Sequence, residues 1–212
     1  TILPNILSFL PTEQAVSTSV RWKYLFASLT NLHFDNSNSS SLVSPIDNGN
    51  AHKKFRNFIC FVDRLLFLHY SSDIQTFHVT CYDDQGIDSF RANAWVSAIL
   101  CRDVQELDLH FSLLEPSSFK LPGDLFTCDT LVVLKLSIRF KLNVPAMACL
   151  PSLKVLHLDY VIYASDDSIE RLMIASCPVL EDFDTELFYW DNVPKFSISS
   201  PTLRRLTMVN GF

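Results

Sequence analysis

Residues 131–136 read Leu131-Val132-Val133-Leu134-Lys135-Leu136, and residues 153–158 read Leu153-Lys154-Val155-Leu156-His157-Leu158. Both obey one rule, apolar-x-x-apolar-x-apolar, and the rule recurs on either side of them. Upstream it gives Ile74-Gln75-Thr76-Phe77-His78-Val79 and Val104-Gln105-Glu106-Leu107-Asp108-Leu109. Downstream it gives Leu180-Glu181-Asp182-Phe183-Asp184-Thr185 and Leu203-Arg204-Arg205-Leu206-Thr207-Met208. The first positions are 74, 104, 131, 153, 180 and 203, so the steps are 30, 27, 22, 27 and 23 residues. Self-similarity at a near-fixed period marks a stacked repeat architecture. The fourth and sixth positions of a unit point to one side of a strand, because strand side chains alternate with a period of two. One such strand cannot bury its apolar face alone. Stacked in parallel, each copy adds a rung to a continuous core.

The steps average about 26 residues, and all but the first fall in the ~20–29-residue window of leucine-rich repeats. Turn chemistry agrees. Leu150-Pro151-Ser152-Leu153, Cys177-Pro178-Val179-Leu180 and Ser200-Pro201-Thr202-Leu203 each place Pro two residues ahead of a unit's first apolar residue. The ring blocks helix continuation there and presets an extended approach to the strand. Composition follows from the same cause: 30 Leu supply the rungs, while only 4 Gly are present because Pro, Ser, Asp and Asn make the turns. The expected fold class is α/β, a leucine-rich-repeat solenoid of parallel strands with intervening helices and loops, over residues 71–212. An ordinary six-stranded α/β sheet is the alternative, and it does not explain one shared offset in six copies. Between strands, Ser89 to Cys101 carries Phe90, Ala94, Trp95, Ala98 and Ile99 at helical spacing. Asp166-Asp167-Ser168 is expected to cap a second short helix through Ile169, Leu172 and Met173.

Charge and thiols narrow the function. The formal net charge is -6. Residues 1–70 hold 6 basic and 4 acidic side chains, net +2, and residues 71–212 hold 11 and 19, net -8. Acidity concentrated in the repeats speaks against a nucleic-acid partner and favours a basic or polar one. The longest apolar run, Phe58 to Tyr70, is broken by Asp63 and Arg64. It falls short of the ~20 apolar residues of a membrane span, so no membrane segment is expected. No signal-peptide pattern is visible. The start at Thr1, already inside an apolar pattern, reads as that of a fragment or truncated frame. The six cysteines, at 60, 81, 101, 128, 149 and 177, lack zinc-knuckle and Cys-x-x-Cys spacing. Their apolar neighbours suggest buried free thiols, which places the protein in the cytoplasm or nucleus. No Gly-rich phosphate loop, nucleophile elbow or His-Glu-x-x-His is present. The chain is therefore read as non-enzymatic, with no cofactor and no metal.

The amino-terminal 27 residues read differently. Ile6-Leu7-Ser8-Phe9-Leu10-Pro11 is an apolar helix end stopped by Pro, and Thr12 can cap a second helix carrying Ala15, Val16, Ser19 and Val20 on one face. Arg21-Trp22-Lys23-Tyr24-Leu25-Phe26 follows. A helix pair this small packs on a partner or on the rest of its chain. Residues 36–50 are rich in Ser and Asn and read as a solvated linker. Phe55 to His69 then carries Phe55, Phe58, Ile59, Val62, Leu65 and Leu66 as the apolar face of a helix, expected to cap the start of the array.

These segments resemble a plant-type F-box/leucine-rich-repeat protein. The Pro-x-Leu-x-x-Leu-x-Leu units carry the resemblance over residues 70–212, and the Ile6–Phe26 motifs resemble an F-box that is truncated and carries a small internal deletion. Val20 meets Arg21 directly, where the family usually has about three residues between. Asn31-Leu32-His33-Phe34-Asp35 resembles the strand that follows the box. The resemblance implies a partial F-box at 1–27. It is followed by a linker strand, loop and capping helix at 28–70, and then by leucine-rich repeats at 71–212. It further implies a substrate-recognition subunit of a cullin-based (SCF-type) E3 ubiquitin ligase. The box would dock on the Skp-type adaptor of the cullin ligase core through Ile6, Leu7, Leu10, Pro11, Val16, Val20, Trp22 and Leu25. The repeats would hold an unidentified target protein. A repeat-only interaction module, or a decayed copy with a non-docking box, is the alternative.

In a solenoid, the strand positions that face away from the core line the concave side. The central position of each unit gives His78, Asp108, Lys135, His157, Asp184 and Thr207, and the next outward position gives Thr80, His110, Ser137, Asp159, Glu186 and Val209. Of these, His78, Asp108, His110, Lys135, His157, Asp159, Asp184 and Glu186 are the candidate target-binding residues. The three histidines stand on different or distant rungs without carboxylates at ligand spacing, so no metal site is expected among them.

Overall fold

The computed structural model describes residues 29–36, 48–68, 73–81, 86–163, 172, 177–188 and 200–211. Their core is a seven-stranded sheet in which every neighbouring pair is parallel and the strand order is the chain order. The strands are β1 (Asn31–Asp35), β2 (Thr76–Cys81), β3 (Glu106–Phe111), β4 (Val133–Leu142), β5 (Val155–Tyr163), β6 (Asp182–Phe188) and β7 (Arg205–Gly211). Helix α1 (Asn48–Leu68) connects β1 to β2, and α2 (Ser89–Leu100) connects β2 to β3. A short 3-10 helix, Gly123–Thr127, lies between β3 and β4. This is the leucine-rich-repeat architecture expected from the six-residue rule.

Register shows why the rule works. Leu32, Phe77, Leu107, Leu134, Leu156, Phe183 and Leu206 are directly paired across the sheet, as are Phe34, Val79, Leu109, Leu136, Leu158, Thr185 and Met208. These two columns are the fourth and sixth positions of each unit, and from β1 to β6 all of their members are buried. The first apolar residue of each unit sits two positions ahead of its strand. Ile74, Val104, Leu131, Leu153 and Leu180 are fully buried there. Between it and the strand, one carbonyl accepts from two consecutive amides of the next rung. Thr30 serves Gln75 and Thr76, Gln75 serves Gln105 and Glu106, and Gln105 serves Val132 and Val133. Val132, Lys154 and Glu181 continue the series to Arg205. Each rung is thus hydrogen-bonded before its strand begins, which satisfies turn amides that burial would otherwise leave costly.

The Pro-bearing turns behave as their sequence requires. Leu153 donates its amide to the Leu150 carbonyl at 3.2 Å, and Leu180 to the Cys177 carbonyl at 3.3 Å. Each closes a four-residue turn with Pro at the second position, where its fixed φ is preset. Side chains add a second register. The Thr130 and Thr202 hydroxyls, each just ahead of a unit, donate to the carbonyls of Val104 and Leu180 at 2.9 and 2.8 Å.

Several expectations are corrected. Strand β1, read as a linker strand, is a rung of the sheet, and helix α1, with Phe58, Ile59, Val62, Leu65 and Leu66 buried, connects it to β2. The helix begins at Asn48, so Asn48, Gly49 and Asn50 belong to the helix and not to the linker. In α2 the buried residues are Ala92, Trp95, Val96 and Ile99, while Phe90 is 82% exposed. Asp88 caps this helix, accepting the Phe90 amide at 2.6 Å. Only Cys81 and Cys177 among the thiols are buried; Cys60, Cys101 and Cys149 are exposed and Cys128 is intermediate. Cys60 lies on the outer face of α1 and Cys101 caps the end of α2, where apolar sequence neighbours do not imply burial. Residues 37–47 of the linker and the proposed Asp166–Ser168 cap with its helix lie outside the described residues, except that Leu172 is buried. Asn36, at the start of the linker, is buried and donates its backbone amide to the Thr80 carbonyl at 2.9 Å. No helix among the described residues is long and apolar enough to cross a membrane.

The two described helices interlock through charge. Trp95 Nε1 donates to Asp63 Oδ1 at 2.7 Å, and Arg91 Nε approaches Asp63 Oδ2 at 3.4 Å. Asp63, which interrupts the apolar run of α1, is therefore the acceptor that lets the Trp95 ring bury against it.

Candidate functional site

The two outward columns alternate with the core columns. The first holds His33, His78, Asp108, Lys135, His157, Asp184 and Thr207, and the second Asp35, Thr80, His110, Ser137, Asp159, Glu186 and Val209. All eight candidate target-binding residues lie on these columns. The eight adaptor-docking candidates, Ile6 to Leu25, lie outside the described residues.

The amino-terminal end of this face is an imidazole–carboxylate cluster. His78 Nδ1 stands 2.9 Å from Asp108 Oδ2, and His110 Nε2 2.5 Å from Asp108 Oδ1. The chain spacing of 32 residues between His78 and His110 conceals that parallel pairing sets their strands side by side with Asp108 between them. His78 Nε2 lies 2.8 Å from the Thr80 hydroxyl. With Nδ1–H given to Asp108, Nε2 accepts from Thr80; protonated, it donates to the same oxygen, so either state is satisfied. The His33 ring sits edge-on to the His78 ring at 4.3 Å between centroids. His33 was missed in the sequence, although Leu29-Thr30-Asn31-Leu32-His33-Phe34 obeys the six-residue rule and would have put it at a central position. Among the described residues, no group of three or more His, Cys, Asp or Glu side chains is arranged to hold a metal ion.

Burial pushes the Asp108 carboxyl up, but hydrogen bonds from His110 and His78, and their charge, outweigh it and hold the group well below the usual carboxylate range. Burial lowers the His33 pKa and the neighbouring His78 lowers it further, against the opposing pull of Asp35 and Asp108. At the other end of the face the sign reverses. Burial raises the Asp159 pKa, and the carboxylates of Asp184 and Glu186 raise it further, with His157 and His110 pulling the other way. Lys135 stands between the two ends on β4. The chemistry on offer is recognition through hydrogen bonds and charge. The Thr80–His78–Asp108 line has the order of an activated hydroxyl, but it lies on an open strand.

Comparison with known proteins adds the family. The family model described as FBD-associated F-box protein At5g56370, LRR repeats, matches residues 92–212. Over 98% of its length the chain is 37% identical to the FBD-associated F-box protein At4g10400 of Arabidopsis thaliana, covering 48% of that protein. It is 37% identical to the F-box protein At4g09920 of the same plant, covering 62% of it. It is 39% identical to the F-box/LRR-repeat protein At4g14103, covering 52% of that protein and 97% of this chain. The chain thus spans about half the length of the curated relatives it matches. No solved structure matches. With its parallel rungs and this match over more than half its length, the chain belongs to the leucine-rich-repeat family of FBD-associated F-box proteins.

Proposed function

We propose that the protein is a substrate-recognition subunit of a cullin-based ubiquitin ligase, working in the cytoplasm or nucleus. Its amino-terminal box tethers a Skp-type adaptor and its sheet face holds a target protein. The reaction is then carried by the rest of the ligase, and this chain supplies proximity. The observation that carries the reading is the order of parts on one chain: box-like apolar motifs at residues 1–27, then seven rungs presenting one polar face. Alternating His, Asp, Lys and Glu on that face suits a protein surface better than a small apolar ligand.

The test is co-expression with a Skp-type adaptor and recovery on an affinity-tagged chain. The expected result is a stoichiometric complex, weakened at least tenfold by Leu10→Asp or Trp22→Ala. Failure to recover the adaptor with a chain that melts cooperatively would overturn the reading. The repeat-only module would then stand in its place.

A further inference from the structure

One residue breaks the regularity of the sheet. Core residues on β5 keep a period of two through Leu156 and Leu158, then resume at Val161 and Tyr163. Tyr160 stands at the change of phase with φ of +65°, a conformation that bulky L-residues rarely adopt. Period two would send it into the core; instead it is 40% exposed. The ladders change at the same place. Register between β4 and β5 jumps from Ser137–Asp159 to Phe140–Val161, so Ile138 and Arg139 oppose Tyr160 alone. Pairing of β5 with β6 stops at Asp159–Glu186, while β6 and β7 stay paired to Phe188–Gly211. The sheet forks at Tyr160. Bulges of this kind re-aim a side chain, and strain of this kind persists where the surroundings enforce it.

The strand beside Tyr160 is cationic on its outward side. Lys135, Arg139 and Lys141 alternate along β4 with the buried Leu134, Leu136, Ile138, Phe140 and Leu142. No ion pair joins any of the three to another described residue. Asp184 and Glu186 lie on β6, while Asp159, paired with both Ser137 and Glu186, and Asp108, paired with Lys135, border β4 ahead of the fork; beyond it the outward side of β4 carries Arg139 and Lys141. We propose that Tyr160 is an aromatic anchor which, with Arg139 and Lys141, takes an acidic segment of the target laid along the carboxyl-terminal half of β4, a local cationic exception to the net acidity that favours basic or polar partners elsewhere on the repeats. The anchor rests on the receptor reading above and names the partner chemistry of that face. A rigid aromatic beside unpaired cations is what binding hot spots use. Opposite charge supplies steering and register.

The test uses fluorescence anisotropy of the full chain with a labelled 12-residue peptide of alternating Glu and Leu, and with Lys or Gln replacing Glu as controls. The Glu peptide is expected to bind, and the Lys peptide at least tenfold more weakly. Tyr160→Ala should weaken the Glu peptide about tenfold, the scale of one lost anchor. Tyr160→Phe should keep most of the affinity, and Arg139→Glu with Lys141→Glu should abolish it. Tyr160→Gly keeps the left-handed backbone and removes the ring, so binding should weaken as it does in Tyr160→Ala. Equal binding by wild type and Tyr160→Ala, equal affinity for the Lys peptide, or no binding of the Glu peptide would overturn the proposal. Adaptor recovery through residues 1–27 is measured separately. Its failure with peptide binding intact sinks the receptor reading and leaves the anchor standing.

Discussion

Asp108 shows how one side chain decides the local response to pH. Its folded carboxyl titrates below the ordinary value of 3.8, so the unfolded chain takes up the proton first. Stability from this group is fully present above about pH 4 and is lost as pH falls toward the folded value. His33 acts in the same direction in a higher window. Its pKa is lowered from 6.5, so the unfolded state binds the proton first and stability falls as pH drops below that value. Asp108→Asn should therefore cost about 1–2 kcal/mol near neutrality, the worth of a charged hydrogen bond. It should also flatten the loss of stability below pH 4, read by urea denaturation across pH. An unchanged acid limb would show that Asp108 does not carry it. Thr185 makes the complementary point about a rung where Leu is usual. It is fully buried in the core column, and its hydroxyl donates to the Leu158 carbonyl and accepts from Tyr163, both at 2.9 Å. Thr185→Val keeps the shape and removes both bonds, so it should cost roughly 1–2 kcal/mol by thermal or urea unfolding.

Elements differ in how plainly the sequence announces them. Each rung from β2 to β7 begins two residues after a first apolar residue, because the ladder and the burial columns both follow from the six-residue rule. Rung β1 obeys that rule too, from Leu29, but stands 45 residues ahead of Ile74. The 21-residue helix α1 fills much of that interval and breaks the period on which recognition depends. The change of phase at Tyr160 is visible afterwards in Leu156, Leu158, Val161 and Tyr163, yet nothing in those residues announces a left-handed backbone. The imidazole cluster was hidden for another reason: contacts across parallel strands depend on register, which chain spacing does not give. At Gly86 the constraint is backbone approach. Its φ is +67°, and a Cβ would stand 2.5 Å from the Leu114 nitrogen and 2.6 Å from the Leu113 carbonyl carbon. Those atoms belong to the segment that Ile87 bridges just ahead of α2. Gly86→Ala should cost about 2 kcal/mol or more, since neither the backbone conformation nor the neighbour can yield cheaply. A loss under half of that in urea midpoint analysis would mean the bridge is free to open.

At the scale of the molecule, a stacked array distributes stability by nearest neighbours, so a rung is only as firm as the rungs and cover beside it. The fourth-position column makes this measurable. Leu134 in the middle of the sheet is 4% exposed, and its neighbours Leu107 and Leu156 are buried on either side. Leu206 holds the same position on β7 and is 46% exposed, with Met208 beside it at 38%. Among the described residues, β7 is held by its ladder to β6, by the Thr202 hydroxyl on the Leu180 carbonyl, by half-buried Leu203, and by two surface ion pairs, Arg204–Glu181 at 2.9 Å and Arg205–Asp182 at 3.4 Å. Exposed pairs of this kind are worth about 0–1 kcal/mol each. Leu134→Ala should therefore cost about 3 kcal/mol, the price of a cavity in a packed core, while Leu206→Ala should cost about 1 kcal/mol or less. Amide hydrogen exchange should follow the same gradient, with β7 opening at lower free energy than β3 and β4. Equal costs for the two substitutions would show that the last rung is covered as well as the central ones, and uniform exchange protection across the sheet would say the same of its backbone.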